Sequence, residues 1–201
     1  DDVKEQVKEM PMEVLEEELK GRKDLRDVEI FTIDGDDTKD IDDAISIKKL
    51  SNGHYELGVH IADVSYYVKE GTPLDNEAME RGTSVYLADR VIPMLPHKLS
   101  NGICSLNPDV DRLAMSCVME IDGKGHVVSY DIFPSVIRSR KQMTYECVNK
   151  ILEENIIPDG YEDFVDILRM MAELSHILRK EKESRGYIDF EIDESKIIVN
   201  E

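Results

Sequence analysis

The sequence contains only three cysteines, and none of them belongs to a CxxC pair. Cys104, Cys117 and Cys147 therefore predict reduced thiols in a cytosolic protein and do not indicate a disulfide framework or a zinc site. No apolar run approaches the ~20 residues that a membrane-spanning helix needs. The acidic N-terminal residues also lack the basic and apolar regions of a signal peptide. We therefore expect a soluble, cytoplasmic protein with no membrane partner.

Basic residues are scarce as well. The 25 Lys and Arg stand against 44 Asp and Glu, which gives a formal net charge of −19. Such a balance speaks against an extended nucleic-acid-binding surface, because phosphate contacts need Lys and Arg. The chain has 201 residues, 41% of them hydrophobic, and this is enough for one domain with a hydrophobic core. Composition therefore predicts a globular acidic domain and speaks against nucleic-acid binding by this chain alone.

Hydrophobic periodicity and turn residues predict an α+β fold with a mixed, largely antiparallel sheet and flanking helices, because the strands interleave with helices without a regular βαβ alternation. Two hairpins are indicated, one turning at 51–53 (Ser-Asn-Gly) and one at 122–125 (Asp-Gly-Lys-Gly). Further strands are expected at 28–33, within the loop-rich region 83–108, and at 196–199.

Helices are predicted in four places. One follows Pro11 and ends before Gly21, and one lies between Thr72, as N-cap, and Gly82. The others cover 144–154 and 161–182. In the last of these, the apolar residues fall on one face of the helix; they are Phe164, Ile167, Leu168, Met171, Leu174 and Leu178. Residues 1–10 are charged without clear periodicity and predict a tether.

Six aspartates lie within ten residues: Asp34, Asp36, Asp37, Asp40, Asp42 and Asp43. An acidic run is usually a solvated surface loop, which water and salt screen. Here a strand ending at Ile33 leads in, and Ile41 and Ala44 interrupt the acids. This interleaving predicts a partly buried cluster, and buried charges need cations. Carboxylates suit the hard cations Mg²⁺, Mn²⁺ and Ca²⁺.

The spacing of the aspartates is compatible with more than one kind of site. It does not fit an EF-hand loop, because Lys39 and Ile45 stand where Gly and Glu are required. Four acids close together can hold two ions about 3.5–4 Å apart, as in phosphodiester hydrolysis. Residues 34–38 also fit the D-x-D-x-T pattern of haloacid-dehalogenase-like phosphatases, with Asp34 as nucleophile, although a hairpin follows where that fold has a helix. Besides a metal site for phosphodiester hydrolysis, the cluster could therefore belong to a phosphatase or to a non-catalytic acidic module that binds metal or protein.

Longer motifs accompany the cluster in a fixed order. They are Thr32-Ile33-Asp34 with Asp40-Ile41-Asp42-Asp43, His60-Ile61-Ala62-Asp63-Val64, Gly82-Thr83-Ser84-Val85-Tyr86, Ile92-Pro93-Met94-Leu95-Pro96, Leu99-Ser100-Asn101-Gly102, Cys104-Ser105-Leu106, Asp111-Arg112-Leu113-Ala114, and Arg185-Gly186 with Asp189-Phe190. With these motifs the chain from about Gly21 to its end resembles the catalytic (RNB) domain of the RNase R/RNase II family. Details such as Gly21-Arg22-Lys23-Asp24-Leu25-Arg26 favour the RNase R branch.

The resemblance implies a processive 3′-to-5′ exoribonuclease that hydrolyses single-stranded RNA to nucleoside 5′-monophosphates. It implies Mg²⁺ as cofactor, as one ion or two, with Mn²⁺ as a substitute. The family's D-x5-D-x-D-D pattern assigns catalysis and metal binding to Asp34, Asp40, Asp42 and Asp43. Asp42 is expected to matter most for the chemical step. Tyr86 is expected to contact the 3′-terminal nucleotide, and Phe190 to pack on the terminal bases, a contact that tolerates any sequence.

The resemblance also implies a division of the chain. Residues 1–20 are expected to be a linker and short helix, and 21–201 the N-terminal part of a catalytic domain that continues beyond this sequence. OB-type RNA-binding domains of the same full-length chain are expected to flank it and to carry most of the basic surface, which answers the objection from net charge. These 201 residues alone are expected to be inactive or very weakly active, because the family's second half carries an arginine that stabilises the developing phosphate charge.

Two polar residues outside the cluster need an interpretation. His60 lies near the end of a predicted strand, and we expect a structural histidine, because a two-metal site needs no separate general base. Arg112 can bind phosphate or form an internal ion pair with Asp109 or Asp111. Neither His60 nor Arg112 is placed in the catalytic set.

Overall fold

The computed structural model describes residues 2–87 and 90–188. The strands in this part of the chain are β1 (Lys23–Asp24), β2 (Phe31–Asp34), β3 (Asp43–Lys49), β4 (Tyr55–Ala62), β5 (Val85–Tyr86), β6 (Val91–Ile92), β7 (Asp111–Ile121), β8 (Val127–Arg138) and β9 (Lys141–Thr144). Seven of them form one mixed sheet in the order β1-β8-β7-β4-β3-β2-β9, and β5 pairs with β6. Within the large sheet, β1–β8 and β2–β9 are parallel and the other pairs antiparallel. The predicted α+β fold is confirmed.

Both predicted hairpins are present. Strands β3 and β4 pair from Asp43↔Ile61 to Lys49↔Tyr55, and Gly53 in their turn has a φ of 84°. Strands β7 and β8 pair along most of their length, and Gly125 in their turn has a φ of 87°. Glycine suits both positions because residues with a side chain rarely adopt a positive φ.

The helices are α1 (Asp2–Glu9), α2 (Val64–Tyr67), α3 (Pro73–Arg81), α4 (Tyr145–Asn149) and α5 (Val165–Ser184). Helix α3 has the predicted caps: the Thr72 hydroxyl accepts a hydrogen bond from the Asp75 amide, and Gly82 ends the helix with a φ of 69°. Helix α4 continues into a helical turn at Lys150–Glu154, and a short 3₁₀ turn at Glu162–Phe164 precedes α5. The helices predicted at 144–154 and 161–182 are therefore confirmed.

Helix α5 covers one face of the sheet. Its Leu168 and Leu174 are almost fully buried in a core that includes Phe31 of β2 and Tyr55 of β4. Because side chains alternate along a strand, Ala44 of β3 faces the opposite side. There it packs in a second core with residues Ile30, Ile41, Ala62, Leu106, Ala114 and Ile137. The loop at 35–42, here called the cluster loop, follows β2 and is anchored to the second core through Ile41, which has no exposed surface.

The N-terminal prediction needs correction. Residues 2–9 form α1 instead of a tether, and the Gln6 side chain accepts a hydrogen bond from the Leu74 amide at the start of α3. Val3, Val7 and Met10 pack against a third core, which includes Leu74, Leu99 and Leu113. Their i, i+4, i+7 spacing makes one apolar face, which the intervening charges obscure in the sequence. The helix predicted from Pro11 is wrong, since a single 3₁₀ turn at Glu16–Leu19 takes its place.

Two other strand predictions differ in outcome. The strand expected at 28–33 is β2, which begins only at Phe31. The strand expected at 196–199 lies outside the described residues. Among the residues that are described, no helix combines the length and apolar character needed to cross a bilayer.

Candidate metal centre

The four aspartates of the predicted set lie around the junction of β2 and β3. Asp34 is the last residue of β2, and Asp43 is the first residue of β3. The two strands are antiparallel neighbours, so the end of one lies beside the start of the other. The loop at 35–42 joins them and carries Asp40 and Asp42. A hairpin-like connection therefore gathers acids that are up to nine residues apart in sequence.

The electrostatics of the loop separate these four acids from the other two. Burial raises the pKa of Asp34, and the charges of Asp43 and Asp40 raise it further. Asp42 is more exposed than Asp34 as a residue. Partial burial of its carboxyl group nevertheless raises its pKa, and repulsion from Asp40, Asp43 and Asp34 raises the pKa further. The charges that act on both groups belong to the predicted set. Asp36 and Asp37 are exposed and are not among them.

One carboxylate oxygen indicates how this repulsion can be offset. Asp34 Oδ2 is buried and has no hydrogen-bond partner among residues 2–87 and 90–188. The nearby Thr32 hydroxyl lowers the pKa of Asp34 but does not form a hydrogen bond of good geometry with it. An unsatisfied buried acceptor costs about 1–3 kcal/mol, and more if it is charged. A hard cation would satisfy it, so the donor set fits Mg²⁺ or Mn²⁺ in its chemistry.

The carboxylates do not yet form a closed ligand set. Within residues 2–87 and 90–188, no three or more His, Cys, Asp or Glu side chains are arranged so that they could hold a metal ion as they stand. One oxygen of Asp40 is engaged elsewhere, because the Tyr86 hydroxyl donates a 3.0 Å hydrogen bond to Asp40 Oδ2. This bond is the main cause that raises the pKa of Tyr86.

Tyr86 also borders a cavity beside the cluster. The cavity has a volume of about 810 Å³ and lies between the cluster loop and the β5–β6 hairpin. Its lining combines polar and cationic residues, among them Lys39, Asp40, Arg90 and His97. The Tyr86 ring is 67% exposed, so it is open to a ligand. Of the two predicted RNA-binding residues, Tyr86 thus adjoins the cluster, while Phe190 lies outside the described residues.

His60 is structural, as predicted. Its ring has no exposed surface and hydrogen-bonds to the hydroxyls of Ser46 (3.1 Å) and Ser116 (2.7 Å). Burial lowers its pKa to about 4, so the ring is neutral near pH 7. Arg112 differs from both sequence interpretations, because its guanidinium donates to the backbone carbonyls of Ser105 and Asp111.

Sequence reasoning missed two polar contacts near the cluster. Arg22 and Asp63 form a buried ion pair of 2.7 Å beside β4. The Ser105 hydroxyl is fully buried against the cluster loop. Both contacts join residues more than 40 positions apart, and no local pattern signals them; the only signal was that both positions fall within motifs of the family resemblance.

Comparison with known proteins connects these observations. The family model for the RNB domain matches residues 22–201. "Ribonuclease R 1" of Lactococcus lactis subsp. lactis is 54% identical over the whole chain, which covers 25% of that relative. "Ribonuclease R" of Thermotoga maritima is 59% identical over 96% of the chain and 27% of the relative. A structure of Mycoplasma genitalium RNase R in complex with ribose methylated single-stranded RNA superposes with a TM-score of 0.91, at 33% identity, over 99% of this chain and 31% of that one. The chain thus spans about a quarter of the length of its curated relatives.

Proposed function

The chain belongs to the RNB domain family, and we propose that the protein is a metal-dependent 3′-to-5′ exoribonuclease that hydrolyses single-stranded RNA processively to nucleoside 5′-monophosphates. The observation that carries this proposal is the set of four mutually repelling aspartates at the β2–β3 junction, with one buried unpartnered oxygen. The relatives named Ribonuclease R and a related enzyme bound to RNA support the substrate.

In this proposal the four carboxylates hold Mg²⁺, as one ion or two, or Mn²⁺ in its place. The chemistry that such a cation supplies is acidification of the attacking water and stabilisation of negative charge on phosphate. The buried oxygen of Asp34 leaves an acceptor that a cation could satisfy, and the hydrogen bond from Tyr86 orients the carboxylate of Asp40. Asp42 is more open to solvent, which suits a group that reaches both cation and scissile phosphate.

Tyr86 and Phe190 are the proposed RNA contacts. The exposed Tyr86 ring lies next to Asp40, so a nucleotide seated against it would present its phosphate to the acids. Stacking on an aromatic ring accepts any base, because every base has a π-face. Phe190 is proposed from its position in the family motif alone. The charge of −19 leaves most phosphate contacts to other parts of the protein, and we assign these to OB-type domains of the full-length chain.

The domain division and the location of the protein belong to the same proposal. Residues 21–201 are the N-terminal part of the catalytic domain, and these residues alone are inactive or very weakly active because the arginine of the second half is needed. The protein works in the cytoplasm, where the three free cysteines remain reduced.

The test compares two aspartates of the same loop in the full-length protein. Asp42→Asn should abolish cleavage of single-stranded RNA in Mg²⁺ while RNA affinity stays within about twofold, because the amide keeps the shape but not the charge. Asp36→Asn is the matched control, since Asp36 is exposed and outside the set; it should retain activity. Full cleavage by Asp42→Asn would refute the assignment.

Two alternatives have distinct signatures. A haloacid-dehalogenase-like phosphatase would form an aspartyl-phosphate on Asp34, yet the second Asp of that motif, Asp36, is exposed, and β2 is followed by an antiparallel strand instead of a helix. A non-catalytic acidic module would bind Ca²⁺ or a protein tightly, with no RNA turnover by the full-length chain. Trapping with a phosphoester and calorimetry with Ca²⁺ distinguish the three.

A further inference from the structure

Ser105 contacts the cluster loop with its side chain. It follows a helical turn at Leu99–Ile103 and is fully buried. Its hydroxyl accepts a 3.0 Å hydrogen bond from the Ile41 amide and donates a 2.8 Å hydrogen bond to the Lys39 carbonyl. The hydroxyl has a single proton, which the Lys39 carbonyl receives at a shorter distance than the 3.4 Å to Asn107 Oδ1. Ser105 thus binds two backbone groups of the loop at once.

These two groups flank one aspartate. The Lys39 carbonyl belongs to the peptide unit that precedes the Asp40 Cα, and the Ile41 amide belongs to the unit that follows it. The backbone has only two soft dihedral angles per residue. A single hydroxyl that holds both peptide units therefore restricts both dihedral angles of Asp40 and the direction in which its carboxylate leaves the loop.

Ser105 is itself held in place by neighbouring groups. The buried guanidinium of Arg112 donates a 2.8 Å hydrogen bond from Nε to the Ser105 carbonyl. The Leu106 amide donates a 2.9 Å hydrogen bond to the Ile41 carbonyl, and the Ile41 side chain is fully buried. Because Ile41, Ser105, Leu106 and Arg112 are buried, water competes little for the hydrogen bonds among them. The contact is a rigid support for the loop.

We propose that Ser105 is a positioning residue for the candidate metal centre: it orients Asp40 by fixing the peptide units on both sides of it, with Arg112 and Leu106 as its supports. The inference rests on the proposed function, since it needs Asp40 to be a metal ligand. Ser105 touches neither the cation nor RNA in this role. Partners of this kind typically alter metal affinity by 10–100-fold.

The experiment measures Mn²⁺ binding to the full-length protein by electron paramagnetic resonance, together with cleavage of single-stranded RNA. Ser105→Ala should weaken Mn²⁺ binding about tenfold and reduce kcat at limiting Mn²⁺, with KM for RNA unchanged and activity recovering at saturating Mn²⁺. Ser105→Thr keeps the hydroxyl and should restore affinity. If Ser105 only stabilised the fold, the loss of activity in Ser105→Ala would be the same at limiting and at saturating Mn²⁺.

Ser135 offers the matched control. It is also fully buried, and its hydroxyl bonds to Ser116 and the Ala114 carbonyl within β7 and β8. Ser135→Ala should lower the unfolding midpoint but leave Mn²⁺ affinity unchanged. If Ser105→Ala does not fold, Ser105→Cys replaces it, because a thiol keeps the shape and weakens both hydrogen bonds; reduced affinity is again expected.

The outcomes distinguish a failure of the positioning role from a failure of the proposed function. Wild-type affinity for Mn²⁺ in a folded Ser105→Ala or Ser105→Cys variant overturns the positioning role while the proposed function stands. Equal loss of affinity in the Ser105 and Ser135 variants overturns it too, because general destabilisation would then explain both. If the wild-type protein neither binds Mn²⁺ nor cleaves RNA, the proposed function itself fails.

Discussion

His60 should make the stability of this fold depend on pH in a way that can be calculated. The neutral ring is buried among serine hydroxyls, and burial lowers its pKa from 6.5 to about 4. The unfolded chain therefore binds more protons than the folded one between these two values. The stabilising contribution is fully present above pH 6.5, decreases as the pH falls, and is lost once the pH passes below about 4. Its full size is roughly 3 kcal/mol at 1.36 kcal/mol per pKa unit.

The measurement is urea unfolding of the complete protein, followed by circular dichroism at pH 7.5 and pH 5. Over this interval the His60 contribution should fall by about 2 kcal/mol. His60→Gln removes the titrating group and keeps an amide that can bond to the serines. Carboxylates that titrate near pH 5 contribute equally to both proteins, so the difference between the two pH dependences isolates the histidine. Identical pH dependence of wild type and His60→Gln would refute a neutral buried ring.

Three further outcomes are expected. Gly58→Ala places a Cβ in steric conflict with the Ser46 hydroxyl and should lower the free energy of unfolding by about 1–3 kcal/mol; an unchanged urea midpoint would contradict this. Asp63→Asn leaves Arg22 buried without its ion-pair partner and should cost about 3–5 kcal/mol. As a control, Asp131→Asn breaks the exposed ion pair with Lys23 and should lower the free energy of unfolding by under ~1 kcal/mol. Equal losses of stability in the Asp63 and Asp131 variants would argue against burial as the cause. Chelation by EDTA should stop RNA cleavage without releasing RNA, and Mn²⁺ should restore it; persistent cleavage in EDTA would exclude the metal.

Local chemistry explains which elements were predictable. Helix α3 was predicted with both its ends because Thr72 and Gly82 satisfy capping requirements within a few residues. Both hairpins were predicted because glycine in each turn takes a positive φ between alternating strands. Helix α1 was missed because three apolar residues among charges are too weak a local signal, and it is stabilised by packing against α3 and the third core.

In the candidate site, too, part of the arrangement was predictable from the sequence and part depends on the tertiary structure. The spacing of six aspartates, with the family motifs, was sufficient to select Asp34, Asp40, Asp42 and Asp43 for a site that remains a proposal. Their mutual repulsion could not be read from the spacing, because it depends on the pairing of β2 with β3. Phe190 remains a prediction from the motif.

By itself, the sequence determined the fold class, the two hairpins and the capped helix, because turns, caps and periodicity act over a few residues. The acids proposed to bind metal were selected by their match to the family motifs. Only the tertiary structure decided which groups support that site. It buried one oxygen of Asp34 without a partner, set the Tyr86 hydroxyl against Asp40, and placed Ser105 across the backbone of the loop. The physical reason is that burial and long-range hydrogen bonds join residues tens of positions apart, and no local pattern encodes which of them will meet.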